Sequence, residues 1–109
     1  MNALAQRTCE KSTKETLPLT AAEANAELKQ LPEWQLAANA KSISRHYKFK
    51  NFKQAIAFVN VVGEMAEKEF HHPDIKLGWG YADITYMTHS IDGLHINDFI
   101  MAARTDALV

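Results

Sequence analysis

The spacing of apolar and polar positions predicts one helix and two strands in the first half of the chain. Residues 20–23, Thr-Ala-Ala-Glu, have the pattern of a capping box that begins a helix. Pro32 ends this helix, because the residue before a proline avoids the α region. Two strands are predicted at 34–40 and 42–49, with a turn at 39–41. The second strand alternates between two faces, which hold Ile43, Arg45, Tyr47 and Phe49 on one side and Ser44, His46 and Lys48 on the other.

The longest predicted helix runs from Phe52 to Phe70. Asn51 caps its first turn, with Gln54 three residues later. Its apolar residues form two stripes, namely Phe52, Ala55, Ile56, Val59, Val62, Ala66 and Phe70, and beside them Phe58, Val61 and Met65. A helix that is apolar on two sides in a small domain indicates contact with another chain, and Gly63 would let a second helix approach closely. We therefore expect a homodimer or homotetramer formed through this helix and a sheet edge.

Two more strands and a helix complete the pattern. The strands are predicted at 75–79 and 82–89, and Gly78 and Gly80 suit a tight hairpin between them. The faces of the second strand hold Ala82, Ile84, Tyr86 and Thr88 on one side and Asp83, Thr85, Met87 and His89 on the other. Asp92-Gly93 turns the chain into a last helix at 96–108, with Phe99, Ile100, Ala103 and Ala107 facing inward. The order αββαββα predicts an α+β fold in which three helices pack on one face of a four-stranded antiparallel sheet.

Length and composition indicate one ordinary folded domain. The chain has 109 residues, of which 47% are hydrophobic and 23% charged, with a net charge of −1. These values argue against a disordered chain and against a broad nucleic-acid-binding surface. Residues 1–18 are polar and aperiodic, so we expect a flexible N-terminal tail followed by a domain at 19–109.

The cellular setting is constrained by the single cysteine and by the absence of long apolar stretches. Cys9 has no second cysteine with which to form a disulfide, which fits a reducing compartment. No apolar stretch approaches the ~20 residues that span a membrane, and the N-terminal residues lack the pattern of a secretion signal. We expect a cytoplasmic protein with no membrane contact.

Three of the five histidines lie between residues 67 and 94, and their chemistry allows three readings. His71, His72 and His89 could hold a zinc ion, but neighbouring residues in extended chain point apart and no HExxH motif or cysteine partner accompanies them. They could be surface or hydrogen-bonded structural residues. They could also exchange protons, since an imidazole has an ordinary pKa of about 6.5, and Glu67 lies four residues before His71, within reach along a helix.

The spacing of these residues resembles the signature of the pterin-4a-carbinolamine dehydratases, also called 4a-hydroxytetrahydrobiopterin dehydratases. The matching positions are Glu67, His71-His72-Pro73, Trp79, His89 and Asp98, together with the surroundings of Trp34, Phe49-Lys50-Asn51-Phe52, Thr88 and Asp92-Gly93-Leu94. The resemblance extends over about residues 20–108. It implies an αββαββα fold with the helices on one side of the sheet.

The resemblance also implies a reaction and the residues that carry it. The reaction is loss of water from the pterin carbinolamine that an aromatic amino acid hydroxylase forms from tetrahydrobiopterin, and it uses no metal and no cofactor. By resemblance, His71 and His89 are the acid/base pair, His72 holds the pterin and shares in proton transfer, and Glu67 orients His71. The residues expected to border the pterin are Glu67, Phe70, Pro73, Met87, Thr88, Ser90 and Trp34, and Trp79 is a second candidate aromatic wall. Core packing is the alternative for both tryptophans, and it is favoured for Trp79.

Two positions depart from the family pattern. Phe70 stands where relatives often carry a small polar residue, and a polar contact to the pterin edge would be lost there. His95 stands where relatives often carry Ser or Thr, so we expect a helix cap that is weaker or shifted to Asn97. Asp98 is expected to complement the dipole of the last helix.

The resemblance leaves a second function open. Some members of the family bind other proteins, either stabilising dimers of a transcription factor or influencing a hydroxylase. The Phe52–Phe70 helix is the surface that would serve such a partner, including an aromatic amino acid hydroxylase.

Overall fold

The computed structural model describes residues 3–109 and has the predicted α+β architecture. Three α-helices pack on one face of a four-stranded antiparallel sheet with strand order β1-β2-β4-β3. The helices are α1 (Ala21–Leu28), α2 (Phe52–Glu69) and α3 (Ile96–Asp106), and the strands are β1 (Gln35–Leu36), β2 (Ile43–Lys48), β3 (Asp74–Gly78) and β4 (Tyr81–Tyr86). Short 3-10 helices lie at Ala3–Gln6 and His89–Ile91. None of the helices in the described part of the chain is long and apolar enough to cross a membrane.

The core lies between the helices and the inner face of the two central strands. Strands β2 and β4 pair in antiparallel register, with Ile43 opposite Tyr86 and Tyr47 opposite Ala82. The predicted alternation is confirmed, because Ile43 and Tyr47 of β2 and Ala82, Ile84 and Tyr86 of β4 are buried. Arg45, on the same face of β2, is partly exposed. The helices supply the other half of the core, chiefly through Phe58 and Val62 of α2 and Phe99, Ile100 and Met101 of α3.

The first helix and the first strand are shorter than predicted. The predicted capping box is confirmed, since Thr20 N–H donates to the Glu23 carboxylate at 2.9 Å and Glu23 N–H donates to Thr20 Oγ1 at 3.2 Å. The helix ends at Leu28 because the next residues form tighter bonds, such as Leu31 N–H to the Leu28 carbonyl at 2.9 Å. Strand β1 keeps only two residues, since the chain turns at Ala40, where φ is 59°.

Helix α2 begins as predicted and ends one residue early. Asn51 Oδ1 accepts from Gln54 N–H at 2.9 Å, which satisfies the first turn. The buried residues are Ala55, Phe58, Val62 and Ala66, so the buried face combines members of both predicted stripes. Phe52, Ile56 and Val61 remain exposed on the helix surface. A Cβ at Gly63 would meet nothing within 4 Å, so no packing within the chain requires glycine there.

The chain between β3 and α3 is organised by two tight turns. Gly80, with φ of 74°, closes the predicted β3–β4 hairpin, and a Cβ at Gly78 would lie 2.3 Å from the Tyr81 ring. Strand β4 ends at Tyr86 and not at residue 89, because Thr88 N–H leaves the sheet and bonds the Gly93 carbonyl at 2.9 Å.

Helix α3 ends at residue 106, so Ala107 is exposed and the prediction that it faces inward is wrong.

The N-terminal segment lies against the domain. The 3-10 helix at its start packs on α3, and Leu4 is buried in the core. Glu10 N–H donates to Asn97 Oδ1 at 2.6 Å, and Asn97 Nδ2 donates back to the Glu10 carbonyl at 2.8 Å. These contacts join residues 3–10 to the domain. The flexible tail at 1–18 and the domain boundary at residue 18 stay predictions.

Candidate active site

A buried carboxylate, that of Asp98, lies at the centre of the candidate site. Its side chain has no exposed surface. Oδ1 is 2.6 Å from Nε2 of His71, and Oδ2 accepts from Thr88 Oγ1 at 2.8 Å and from His95 N–H at 3.0 Å. These three donors offset the cost of removing a carboxylate from water. With Asp98 ionised, Nε2 of His71 carries the proton of their hydrogen bond.

The local sequence of α3 explains how this carboxylate comes to be buried. His95 is the N-cap residue, and its Nδ1 accepts from Asn97 N–H at 3.1 Å. Asp98 completes a capping box with His95, as the third residue of the helix. The expectation of a cap shifted to Asn97 is therefore wrong, because the imidazole nitrogen takes the place of a hydroxyl. Asp98 stays in the first turn of α3, as predicted, but its bonds to His71 and Thr88 were missed.

His71 is held on two sides. Its side chain is 12% exposed, and its ring stacks on the ring of Tyr86 with centroids 6.2 Å apart and planes 14° apart. Burial raises the pKa of Tyr86 to about 12, and its hydroxyl hydrogen-bonds Thr105 at 2.9 Å. Tyr86 is therefore protonated near pH 7, and its ring packs against His71 while its hydroxyl bonds Thr105. Among the described residues, none hydrogen-bonds Nδ1 of His71.

His72 faces a different carboxylate. Its Nε2 lies 2.6 Å from Oε1 of Glu67, and both side chains are largely exposed. The prediction that Glu67 orients His71 is thus corrected: Glu67 pairs with His72. The reason is the end of α2, where Phe70 adopts φ of 52° and breaks the helical spacing on which that prediction rested. An exposed pair of this kind contributes little to the stability of the fold.

His89 is linked to Asp98 through the residue before it, Thr88. It begins the 3-10 helix after β4 and is exposed. Thr88, the residue before it, is buried and bonded to the same carboxylate as His71. The turn is closed by Asp92 N–H, which donates to the His89 carbonyl at 3.1 Å. One buried carboxylate therefore ties together the two chain segments that carry His71 and His89.

The remaining predicted site residues divide into two groups. Phe70, Pro73, Met87 and Ser90 adjoin the three histidines along the chain, and all are at least partly exposed. Trp34 is 4% exposed, packs between Tyr47 and Tyr86, and donates Nε1–H to Asp106 at 3.0 Å. Within one chain its indole has a structural role and offers no open face to a ligand.

Trp79 lies at the tip of the β3–β4 hairpin and is exposed, so it is not a core residue. Six residues of β4 separate this tip from the turn that carries His89, which corresponds to roughly 20 Å of extended chain. Trp79 therefore does not border the histidines of its own chain.

The polar residues of the described chain do not converge on a metal. Residues 3–109 contain no group of three or more His, Cys, Asp or Glu side chains placed to hold one ion. His71 and His72 instead turn to different carboxylates, each through Nε2.

Comparison with known proteins supports the resemblance in the sequence. Residues 17–108 match the model of the family described as pterin 4 alpha carbinolamine dehydratase. A protein of Aromatoleum aromaticum, provisionally named a pterin-4-alpha-carbinolamine dehydratase, is 50% identical over 105 residues, which cover 96% of this chain and 94% of the relative. A Halorhodospira halophila protein with the same provisional name is 49% identical over 106 residues and 97% of each chain.

Solved structures agree with these matches. The crystal structure of a transcriptional coactivator/pterin dehydratase from Brucella melitensis superposes with a TM-score of 0.79 at 35% identity, covering 84% of this chain and 97% of that one. A pterin dehydratase-like protein, identified as a RuBisCO assembly factor in the alpha-carboxysome, superposes with a TM-score of 0.60 at 25% identity, covering 70% and 91%. On the sequence match, the shared fold and the spacing of its histidines, the chain belongs to the pterin-4-alpha-carbinolamine dehydratase family.

Proposed function

We propose that this protein removes water from 4a-hydroxytetrahydrobiopterin to give quinonoid dihydrobiopterin, with His71 and His89 exchanging the protons. The observation that carries the proposal is the buried Asp98 carboxylate, which holds Nε2 of His71 at 2.6 Å and anchors the residue before His89. A chain used only for binding has no need of a buried, fully bonded acid behind a largely buried histidine. Family membership supports the same reaction class.

The chemistry explains why two histidines are needed. Hydroxide is a poor leaving group, so an acid must protonate the 4a-hydroxyl as the carbon–oxygen bond breaks. The electron pair of that bond leaves with the water, and the electrons of the N5–H bond form the new double bond between C4a and N5 as a base removes the N5 proton. Nothing is oxidised or reduced overall, because the product differs from the substrate by one water. Both proton transfers suit groups that titrate near neutrality.

Asp98 prepares His71 for this role. Its carboxylate fixes the proton of the neutral ring on Nε2, which leaves Nδ1 as the atom that accepts or returns a proton. The same carboxylate stabilises the imidazolium that forms when Nδ1 is protonated. Asp98 is therefore a positioning residue, and His71 is the residue that meets the pterin.

The exposed residues around the histidines would bind the substrate. His72, held by Glu67, would hydrogen-bond the polar edge of the pterin and assist proton transfer. Pro73 restricts the backbone of His72 to extended conformations. Met87, Thr88 and Ser90 would border the ring from the end of β4. We place this reaction in the recycling of tetrahydrobiopterin for aromatic amino acid hydroxylation, in the cytoplasm.

The test of the proposed function is direct. The carbinolamine is generated by a hydroxylase, and its dehydration is followed by stopped-flow absorbance with and without this protein. Acceleration above the spontaneous rate supports the proposal, and an unchanged rate contradicts it.

An apolar groove beside α2 supports a second proposal, that the chain self-associates through this helix. The groove is lined by Phe49, Gln54, Ala57, Phe58, Val61, Leu108 and Val109, and Val61 is an exposed apolar residue of α2 within it. Phe52 and Ile56 are exposed on α2 outside this groove. Exposed apolar patches of this kind mark interaction sites. A homodimer or homotetramer would cover the groove, and an aromatic amino acid hydroxylase or another partner protein would compete for it.

Substituting Val61 by glutamate is expected to weaken this association at least about 100-fold, because an unpaired carboxylate would be buried in the interface. Sedimentation velocity over a range of micromolar concentrations measures the change. Asn60→Glu adds the same charge at the next residue, which is already polar and exposed, and is expected to leave association unchanged. A wild type that sediments as a monomer throughout this range would contradict the proposal.

A further inference from the structure

Phe70 combines two features that are unfavourable for the fold. Its backbone is left-handed, with φ of 52° and ψ of 40°, and its side chain is 84% exposed. A bulky residue with positive φ is an outlier, since the Cβ crowds the following carbonyl. Helices that end in this conformation usually place glycine or asparagine there. The phenyl ring of Phe70 therefore adds strain and removes almost no apolar surface from water.

The left-handed backbone itself is required by the site. Phe70 N–H bonds the Glu67 carbonyl at 3.4 Å and His71 N–H bonds the Ala66 carbonyl at 3.2 Å, which closes the end of α2. This turn sends His71 toward Asp98 and returns His72 toward Glu67. Glycine or asparagine would make the same turn with less strain, so the requirement for the turn does not account for a phenylalanine.

The ring of Phe70 stands beside the histidine that adjoins the candidate site. Its centroid is 6.1 Å from that of His72, and the two rings are nearly perpendicular, at 84°. Nε2 of the same imidazole is 2.6 Å from Oε1 of Glu67. An exposed aromatic face next to a positioned imidazole suits a flat, bicyclic ligand whose face stacks and whose edge accepts hydrogen bonds.

We propose that Phe70 is the stacking surface for the pterin ring and sets the affinity of this site for planar bicyclic substrates. This inference rests on the proposed function and adds to it the residue that contacts the face of the ring. With one face against Phe70, the ring would present its edge to His72 and its 4a and N5 atoms to His71 and His89. The strained backbone at Phe70 then lowers the stability of the fold, and in return the site has a surface that binds the substrate.

The test uses Phe70→Asn, in which asparagine tolerates the left-handed backbone but offers no aromatic face. We expect the melting temperature to rise by about 4–8 °C, because the strain is relieved. We expect the Kd for 7,8-dihydrobiopterin, measured by titration calorimetry, and the KM for dehydration to rise about tenfold, with kcat changed little. Phe70→Tyr keeps the aromatic face and is expected to retain wild-type binding within about twofold.

A matched control replaces an exposed aromatic ring away from the candidate site. Trp79→Asn removes the exposed ring at the tip of the β3–β4 hairpin, which does not border the histidines, and pterin binding is expected to be unchanged. If Phe70→Asn binds the pterin as tightly as the wild type, the inference is overturned while the proposed function stands. If the wild type itself neither binds nor dehydrates the pterin, the proposed function fails and the inference fails with it.

Discussion

Replacing His71 by glutamine is expected to slow dehydration of the carbinolamine by about 10²–10⁴-fold, the usual contribution of a general acid or base. Glutamine can still donate a hydrogen bond to Asp98, but its amide does not take up or release a proton near neutrality. Single-turnover stopped-flow absorbance at saturating protein measures the proton-transfer step directly. His89→Gln is expected to have an effect of the same order, because elimination needs both an acid and a base.

The outer face of the sheet provides a matched control for this substitution. His46 pairs with Asp83 there, as His71 pairs with Asp98, but both side chains of that pair are substantially exposed. His46→Gln changes the same chemical group in the same kind of pair and is expected to leave the rate unchanged. Equal rates for His71→Gln, His89→Gln and the wild type would mean that neither histidine exchanges a proton in the rate-determining step.

The Asp98→Asn variant is expected to be less stable by about 1–3 kcal/mol, because at least one buried donor loses its acceptor. The carboxylate accepts three bonds, from His71, Thr88 and His95, and an amide has one oxygen to replace its two. Chemical denaturation measures the loss. The kcat is expected to fall about 10–100-fold even at temperatures where the variant is fully folded, as when other carboxylates that orient a histidine are removed.

Asp83→Asn is the control for this second prediction. Asp83 also pairs with a histidine, yet it lies on the outer face of the sheet, so the expected change in stability is within about 0.5 kcal/mol. A loss of stability in Asp98→Asn without a loss of kcat would assign Asp98 a purely structural role. A loss of neither would contradict the described hydrogen-bond network.

The local parts of the fold could be predicted from the sequence because short-range chemistry determines them. The Asn51 cap, the Thr20 capping box and the β3–β4 hairpin each depend on residues within four positions of one another. The alternation in β2 and β4 was equally predictable, because one face of each strand is buried. These features are sufficient to give the α+β class and the order of elements.

The arrangement of the candidate site depended on contacts that spacing does not reveal. Phe70 has no propensity for a left-handed backbone, so the sequence predicted that α2 continues toward His71 and that Glu67 reaches it. The helix ends before His71. Asp98, which lies 27 positions after His71, binds the His71 ring in place of Glu67. The sequence did point to Asp98, because it belongs to the family spacing and to a capping box. Only the fold shows that its carboxylate also reaches His71.

Trp34 illustrates the same limit for aromatic residues. A tryptophan near a candidate site can be a wall of that site or part of the core, and apolar patterns do not distinguish the two. Its indole N–H reaches Asp106, 72 positions away, and its ring lies between Tyr47 and Tyr86. The core role follows from pairings between distant elements, as does the packing of Leu4 at the N-terminus.

Dehydration of enzymatically generated 4a-hydroxytetrahydrobiopterin by the wild-type protein decides whether this chain is a dehydratase. Stopped-flow absorbance would follow it beside His71→Gln and His46→Gln at equal concentrations. If His71 exchanges a proton with the pterin, the wild type and His46→Gln dehydrate it well above the spontaneous rate, and His71→Gln reacts near that rate. A wild-type rate equal to the spontaneous rate would show that this protein is not the dehydratase proposed.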